Sequence, residues 1–174
     1  MPANATPDLS DWLALDHQLC FALYAASLAM TKAYKPLLAP LGLTYPQYLV
    51  LLVLWEGDGI TVSQLGERLT LDSGTLTPLL KRLEAQGLLQ RRRDVTDERR
   101  VLLDLTPAGR ALRDRAAAVP QAIACATACD LQQIGALATQ LHGLRRQLQS
   151  IAPPDTLSPP AAMPAAFSST TTKD

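Results

Sequence analysis

Three features of the sequence predict a mainly α fold with one small β-hairpin. Thr44 with Gln47 and Thr61 with Gln64 form two capping boxes. Leu76, Leu79, Leu80 and Leu83 make a buried stripe at i, i+3, i+4 and i+7. After Gly87 the pattern turns from helical to β-prone. In chain order these describe a winged helix-turn-helix flanked by N- and C-terminal dimerisation helices.

The first eight residues read as a flexible N-terminus, and residues 9–34 as the first helix, with Leu13, Leu19, Leu23, Leu28 and Met30 among alanines and no proline before Pro36. Thr44 caps a second, nearly all-apolar helix that should be central and that Gly57 and Gly59 end. From Thr61, Val62, Leu65 and Leu69 give a short amphipathic helix. The LDSGT turn follows, with Asp72 or Ser73 placed to cap the next helix. Residues 88–93 and 101–105 are the hairpin strands, and DVTDERR is their polar tip. Thr106 and Pro107 then restart a helix that Pro120 interrupts. Ile134, Leu137, Leu141, Leu144 and Leu148 repeat as 3-4-3-4, a coiled-coil seam. The folded domain is thus 9–149, with its helix-turn-helix and wing lobe at about 44–106. Residues 150–174 hold five prolines, eight serines or threonines and three charges, the composition of a disordered tail.

Composition narrows the function. Sixteen basic and 16 acidic residues cancel, which excludes a uniformly basic nucleic-acid coat but not a local patch. Three cysteines and two histidines are too few for a disulfide framework or a zinc finger, so neither metal nor cofactor is expected. The start, with Asp8, Asp11 and Asp16, lacks a basic leader, and the apolar run 48–55 is far short of a bilayer span. The expectation is a cytoplasmic protein with no membrane partner and reduced thiols.

The local patch exists. Seven basic residues lie between Lys81 and Arg100 against four acids, a net of +3 on the second short helix and the hairpin. Opposite the leucine stripe stand Ser73, Thr75, Thr77, Pro78, Lys81 and Arg82, suited to base edges and phosphates in double-stranded DNA. Arg99 near the hairpin tip suits a narrow minor groove, and Asp97 would orient it. A charged patch alone is as often a solvated face. The helix-turn-helix spacing favours DNA, read by a homodimer at paired half-sites.

The cysteines are less legible. Cys20 lies in an apolar helix, where a cysteine is ordinarily a small buried hydrophobe. Tyr24, Tyr34 and Tyr45 are near the first two helices, but nothing in the sequence brings them to Cys20. Cys125 and Cys129, four apart, share one face of a late helix and lack further metal ligands.

The segments LGLTYPQYLVLLVLWE, TVSQLGERLTLDSGTLTPLLKRLEAQGLL and RRRDVTDERRVLLDLTPAGR resemble the MarR family of dimeric winged-helix repressors. LDHQLCFALYAASLAMTKAYKPLL is similar, more narrowly, to the organic hydroperoxide resistance regulators (OhrR) of that family. The likeness covers about residues 9–146. It implies that Cys20 senses an organic hydroperoxide, that Tyr34 and Tyr45 hydrogen-bond its thiolate, and that Tyr24 and Phe21 line the pocket. It further implies the two-cysteine branch, in which Cys125 of the other subunit, or failing it Cys129, resolves the oxidised Cys20 as a disulfide. Residues Ser73 to Arg82 match the recognition helix, and Asp97 and Arg99 the wing tip. The function implied is a redox-sensing repressor rather than an enzyme. The competing readings are a repressor released by a small aromatic ligand and, behind it, a thiol peroxidase.

Overall fold

The computed structural model describes residues 13–150 apart from Glu98. The N-terminus 1–8 and the tail from Ile151 onward lie outside the described residues. Packing divides the chain into a first unit that ends at Cys129 and a second that begins at Asp130.

The first helix, α1 (Leu19–Leu38), begins ten residues later than its pattern predicts. A 3-10 turn, Leu15–His17, precedes it, and Gln18 in extended conformation separates the two. Asp16 therefore lies off the helix that carries Cys20. Pro36 sits inside the last turn of α1, where it forfeits one i−4 bond without ending the helix. Helix α2 (Tyr45–Glu56) starts at the Thr44–Gln47 capping box: Thr44 N–H and Oγ1 both donate to Gln47 Oε1, at 2.9 Å. It is apolar on every side because it is enclosed, burying Tyr48, Val50, Leu51, Val53 and Leu54.

Next come β1 (Ile60–Thr61), α3 (Val62–Leu69) and α4 (Ser73–Ala85). Strands β2 (Leu89–Arg93) and β3 (Val101–Leu105) form the hairpin. The sheet order is β1-β3-β2, antiparallel throughout, with Ile60 opposite Leu103 and Arg91 also opposite Leu103. The hairpin follows from the sequence pattern. Strand β1 does not, because two residues are too few to show a period.

Thr106 caps α5 (Pro107–Ala116) by accepting from Gly109 N–H at 3.0 Å. A break at Ala117 separates it from α6 (Ala118–Ala126). The interruption thus falls three residues before Pro120, which stands in the first turn of α6, where its missing N–H costs least. Leu65, Leu76, Leu80, Leu83, Leu89 and Leu103 close the core of the first unit around α2. Gly109 is seated on this core so closely that a Cβ there would stand 1.9 Å from Leu88 O. The second unit contains α7 (Leu131–Ser150), which carries the 3-4-3-4 leucines.

Candidate functional site

The turn between α3 and α4 is built for closeness. Thr70 adopts the left-handed conformation (φ 57°), Leu71 N–H bonds back to Gly66 O at 3.0 Å, and a Cβ on Gly66 would lie 2.8 Å from Leu71 O. Asp72 rather than Ser73 is the cap of α4. It accepts from Thr75 N–H at 2.8 Å and from Thr75 Oγ1 at 2.9 Å. The Thr75 amide, then its hydroxyl, hold the Asp72 carboxyl below the usual aspartate range. Leu76, Leu80 and Leu83 face the core, which leaves Ser73, Thr75, Thr77, Pro78, Lys81 and Arg82 on the exposed face. Thr77 Oγ1 donates to Ser73 O at 2.7 Å, so only its lone pairs remain for an outside partner.

The hairpin is tied to this helix. Glu84 accepts from Arg91 Nε at 2.8 Å, Nη2 at 2.5 Å and the backbone N–H at 3.1 Å. These side-chain bonds, with desolvation opposing them, hold the Glu84 carboxyl low. At the root, Asp58 accepts from Leu105 N–H at 2.9 Å and Arg110 Nη2 at 2.5 Å, and the Leu105 bond is the chief reason its carboxyl lies low. At the tip, Asp97 Oδ1 accepts from both the N–H and Nε of Arg99 at 3.1 Å, while the Arg99 side chain is 91% exposed. Between α3, α4 and the hairpin lies a cleft of about 500 Å³ lined by Ser63, Gln64, Thr77, Arg91, Arg99 and Arg100. Arg91, Arg100 and Ser63 are cleft residues that the sequence pattern does not single out. The run of basic residues at 91–93 and 99–100 was the signal for two of them.

The thiols lie elsewhere. Cys20 is in the first turn of α1 and exposed, which corrects the expectation of a buried hydrophobe. The reason is that α1 meets the core only at its C-terminal end; Leu38 is its single buried residue. Phe21 and Tyr24 are exposed beside Cys20, and the same helix exposes Leu19, Leu28 and Met30. Tyr34 and Tyr45 pack as tilted rings with centroids 4.6 Å apart, and Tyr48, absent from the sequence reading, joins them at 5.9 Å from Tyr34. Burial pushes the hydroxyl pKa of all three upward, so at neutral pH each is a protonated donor. Fourteen helical positions separate Cys20 from Tyr34, a rise of about 21 Å. One chain therefore does not bring the tyrosine pair to its own cysteine.

Cys125 lies in the last turn of α6, a helix packed against α1. Cys129 is not on that helix, so the two do not share a face. Thr127 Oγ1 bonds Ala124 O at 2.9 Å, Ala128 turns left-handed (φ 52°), and Cys129 Sγ donates to Thr127 O at 3.3 Å. Asp130 then opens α7 by exchanging bonds with Gln133, a D-x-x-Q box legible in the sequence but not used. All three cysteines are unpaired and exposed. Among the described residues no three His, Cys, Asp or Glu gather as a metal site.

The chain is 57% identical over 113 residues to the organic hydroperoxide resistance transcriptional regulator of Bacillus subtilis, covering 65% of this chain and 77% of that protein. The chain belongs to this OhrR family. Like others of the family it is a transcriptional regulator with the winged-helix fold of the MarR type. Residues 32–115 also match the family described as transcriptional regulator SarA/Rot. Among solved structures, reduced AbfR bound to DNA is 36% identical, covers 79% of this chain and 96% of its own, and has a TM-score of 0.64. The disulfide-formed AbfR is 38% identical over 78% of this chain and 95% of its own, with a TM-score of 0.55. AbfR comes from Staphylococcus epidermidis. In that fold α4 is the second helix of the helix-turn-helix and the β2–β3 hairpin is the wing.

Proposed function

We propose that this chain is a repressor that binds operator DNA as a reduced homodimer and releases it when an organic hydroperoxide oxidises Cys20. The observation that carries the proposal is the arrangement along α1. An exposed thiol at one end, a tyrosine pair about 21 Å away at the other, and an exposed apolar face between them suit a helix that pairs with its two-fold mate. In such a pair each Cys20 meets the other subunit's Tyr34 and Tyr45, whose protonated hydroxyls donate to the thiolate. The OhrR relationship and the reduced and disulfide forms of AbfR support the same reading.

The Cys20 thiolate attacks the outer oxygen of the hydroperoxide, the O–O bond breaks, and the leaving alkoxide takes a proton to become an alcohol. Cys20 is left as a sulfenic acid. The partner subunit's Cys125 thiol then displaces the hydroxyl, which leaves as water, and an intersubunit disulfide forms. That bond changes the spacing of the two wings, and covalent linkage supplies the differential stabilisation that release requires. Ser73, Thr75, Thr77, Pro78, Lys81, Arg82 and Arg99 make the DNA contacts, with Asp97 positioning Arg99. Among the described residues no single helix is long and apolar enough to cross a membrane. The cytoplasm, where thiols start reduced, fits this role.

The test is operator binding by the full-length reduced protein, titrated with cumene hydroperoxide. Release at about one equivalent per subunit, reversed by a dithiol, is expected. Cys20→Ser should bind DNA and ignore peroxide, and a peroxide-sensitive Cys20→Ser protein overturns the proposal. Cys125→Ser should lose the cross-linked dimer on a non-reducing gel. A cross-link that persists moves the resolving role to Cys129.

A further inference from the structure

The exposed face of α4 divides into two kinds of hydrogen-bonding group. Lys81 and Arg82, in its later turns, can only donate. Its first turns differ, because their hydroxyl hydrogens are already in use. Thr75 Oγ1 stands 2.9 Å from Asp72 Oδ2, and Thr77 Oγ1 2.7 Å from Ser73 O. An ionised carboxylate and a backbone carbonyl accept and never donate, so in both bonds the threonine gives its hydrogen. The Asp72 carboxyl, held low by the Thr75 amide and then by the Thr75 hydroxyl, is ionised at neutral pH. What Thr75 and Thr77 keep for an outside partner is lone pairs alone. In the major groove a lone pair finds its partner in an exocyclic amino group, N6 of adenine or N4 of cytosine. Guanine O6 and N7 and thymine O4 are themselves acceptors and offer it nothing.

We infer that Asp72 is a positioning residue for base readout: it fixes Thr75 as an acceptor, beside Thr77, so that the first turns of α4 select base pairs by where their amino groups lie. This rests on the proposed contact of α4 with DNA and is independent of the thiol chemistry. Asp72 acts through Thr75, because Oδ1 is taken by Thr75 N–H at 2.8 Å and Oδ2 by the Thr75 hydroxyl. The residue that caps the helix thus also sets the direction of a hydroxyl on its outer face. Asp72→Asn separates the two roles. Asparagine caps a helix as well as aspartate does, so its oxygen still accepts from Thr75 N–H. Its amide nitrogen, however, donates to Thr75 Oγ1 and turns the hydroxyl hydrogen outward.

The experiment selects a preferred duplex from a randomised library with the reduced full-length protein. Each amino group of the selected half-site is then deleted in turn, adenine being replaced by purine and cytosine by 2-pyrimidinone. At one position per half-site the deletion should weaken wild-type binding about tenfold and leave Thr75→Val within about twofold. The same duplexes are read by every variant, so any weakening of the base pair itself cancels. Thr75→Ser, which keeps the hydroxyl, should retain the tenfold loss. Asp72→Asn should bind the selected duplex yet fall to within about twofold at that position. Full amino-group sensitivity in Asp72→Asn overturns the inference and leaves Asp72 a cap alone. It is equally overturned if no deletion separates the wild type from Thr75→Val. If the reduced protein selects no duplex at all, the DNA-binding reading fails and takes this inference with it.

Discussion

The winged-helix lobe and the two flanking helices use the same kinds of side chain to opposite ends. In the lobe from α2 to β3, Tyr48, Leu51, Leu65, Leu76, Leu83 and Leu103 are fully buried, and the α2, α3 and α4 N-termini are capped by side chains. In α1, Leu19, Phe21, Tyr24, Leu28 and Met30 remain exposed, as do Leu137, Leu141 and Leu148 of α7. Exposed apolar stripes of this length mark interfaces. One copy of the chain thus completes the winged-helix lobe and leaves the apolar face beside Cys20 uncovered. The difference teaches that the lobe's fold is a property of one chain, whereas what covers the apolar face of α1 lies outside it.

Substitutions can break that contrast at either end. The largest effect is expected at Gly109: Gly109→Ala drives a Cβ into Leu88 O and should cost about 3 kcal/mol or more, read as a fall in urea midpoint. Leu137→Glu with Leu141→Glu should instead leave helicity unchanged and convert dimer to monomer in sedimentation. If it unfolds the lobe as well, the two regions are not separate in the way described. Asp58→Asn removes the acceptor shared by Leu105 and Arg110 and should cost about 1–2 kcal/mol at neutral pH. Because the folded carboxyl titrates below its ordinary value of 3.8, its stabilisation is present above that pH and lost as pH falls through the depressed pKa. The variant and wild-type stability curves should therefore converge in acid. Thr106→Ala, which loses the cap of α5, should cost about 1 kcal/mol.

Much of the lobe was legible because its signals are local. Thr44–Gln47, Thr61–Gln64 and Thr106–Pro107 each announce a helix start within four residues, and each start stands where its pattern puts it. The start of α1 was not, since Leu13 and Leu15 continue an apolar pattern into a segment that is not α-helical. Cys125 and Cys129 were placed on one face by arithmetic that assumes a continuous helix, and the turn at Ala128 removes that premise. The tyrosine cluster depends on α1 and α2 crossing at their Tyr34 and Tyr45 ends, a tertiary fact that no spacing encodes. The basic run marked the charged face of α4 and the hairpin, yet which arginine is spoken for by Glu84, Asp97 or Asp104 depends on the hairpin's register.

The bond between Glu84 and Arg91 has a consequence for how an operator is let go. Helix α4 and the wing are clamped by three hydrogen bonds that Arg91 donates to one carboxylate, and β1 fastens the sheet at the head of α3. The two elements therefore behave as the jaws of a fixed caliper rather than as separate fingers. A caliper cannot lift one jaw. Departure from a half-site should be a single event, with helix and wing leaving together, and a promoter under its control should be either shut or open.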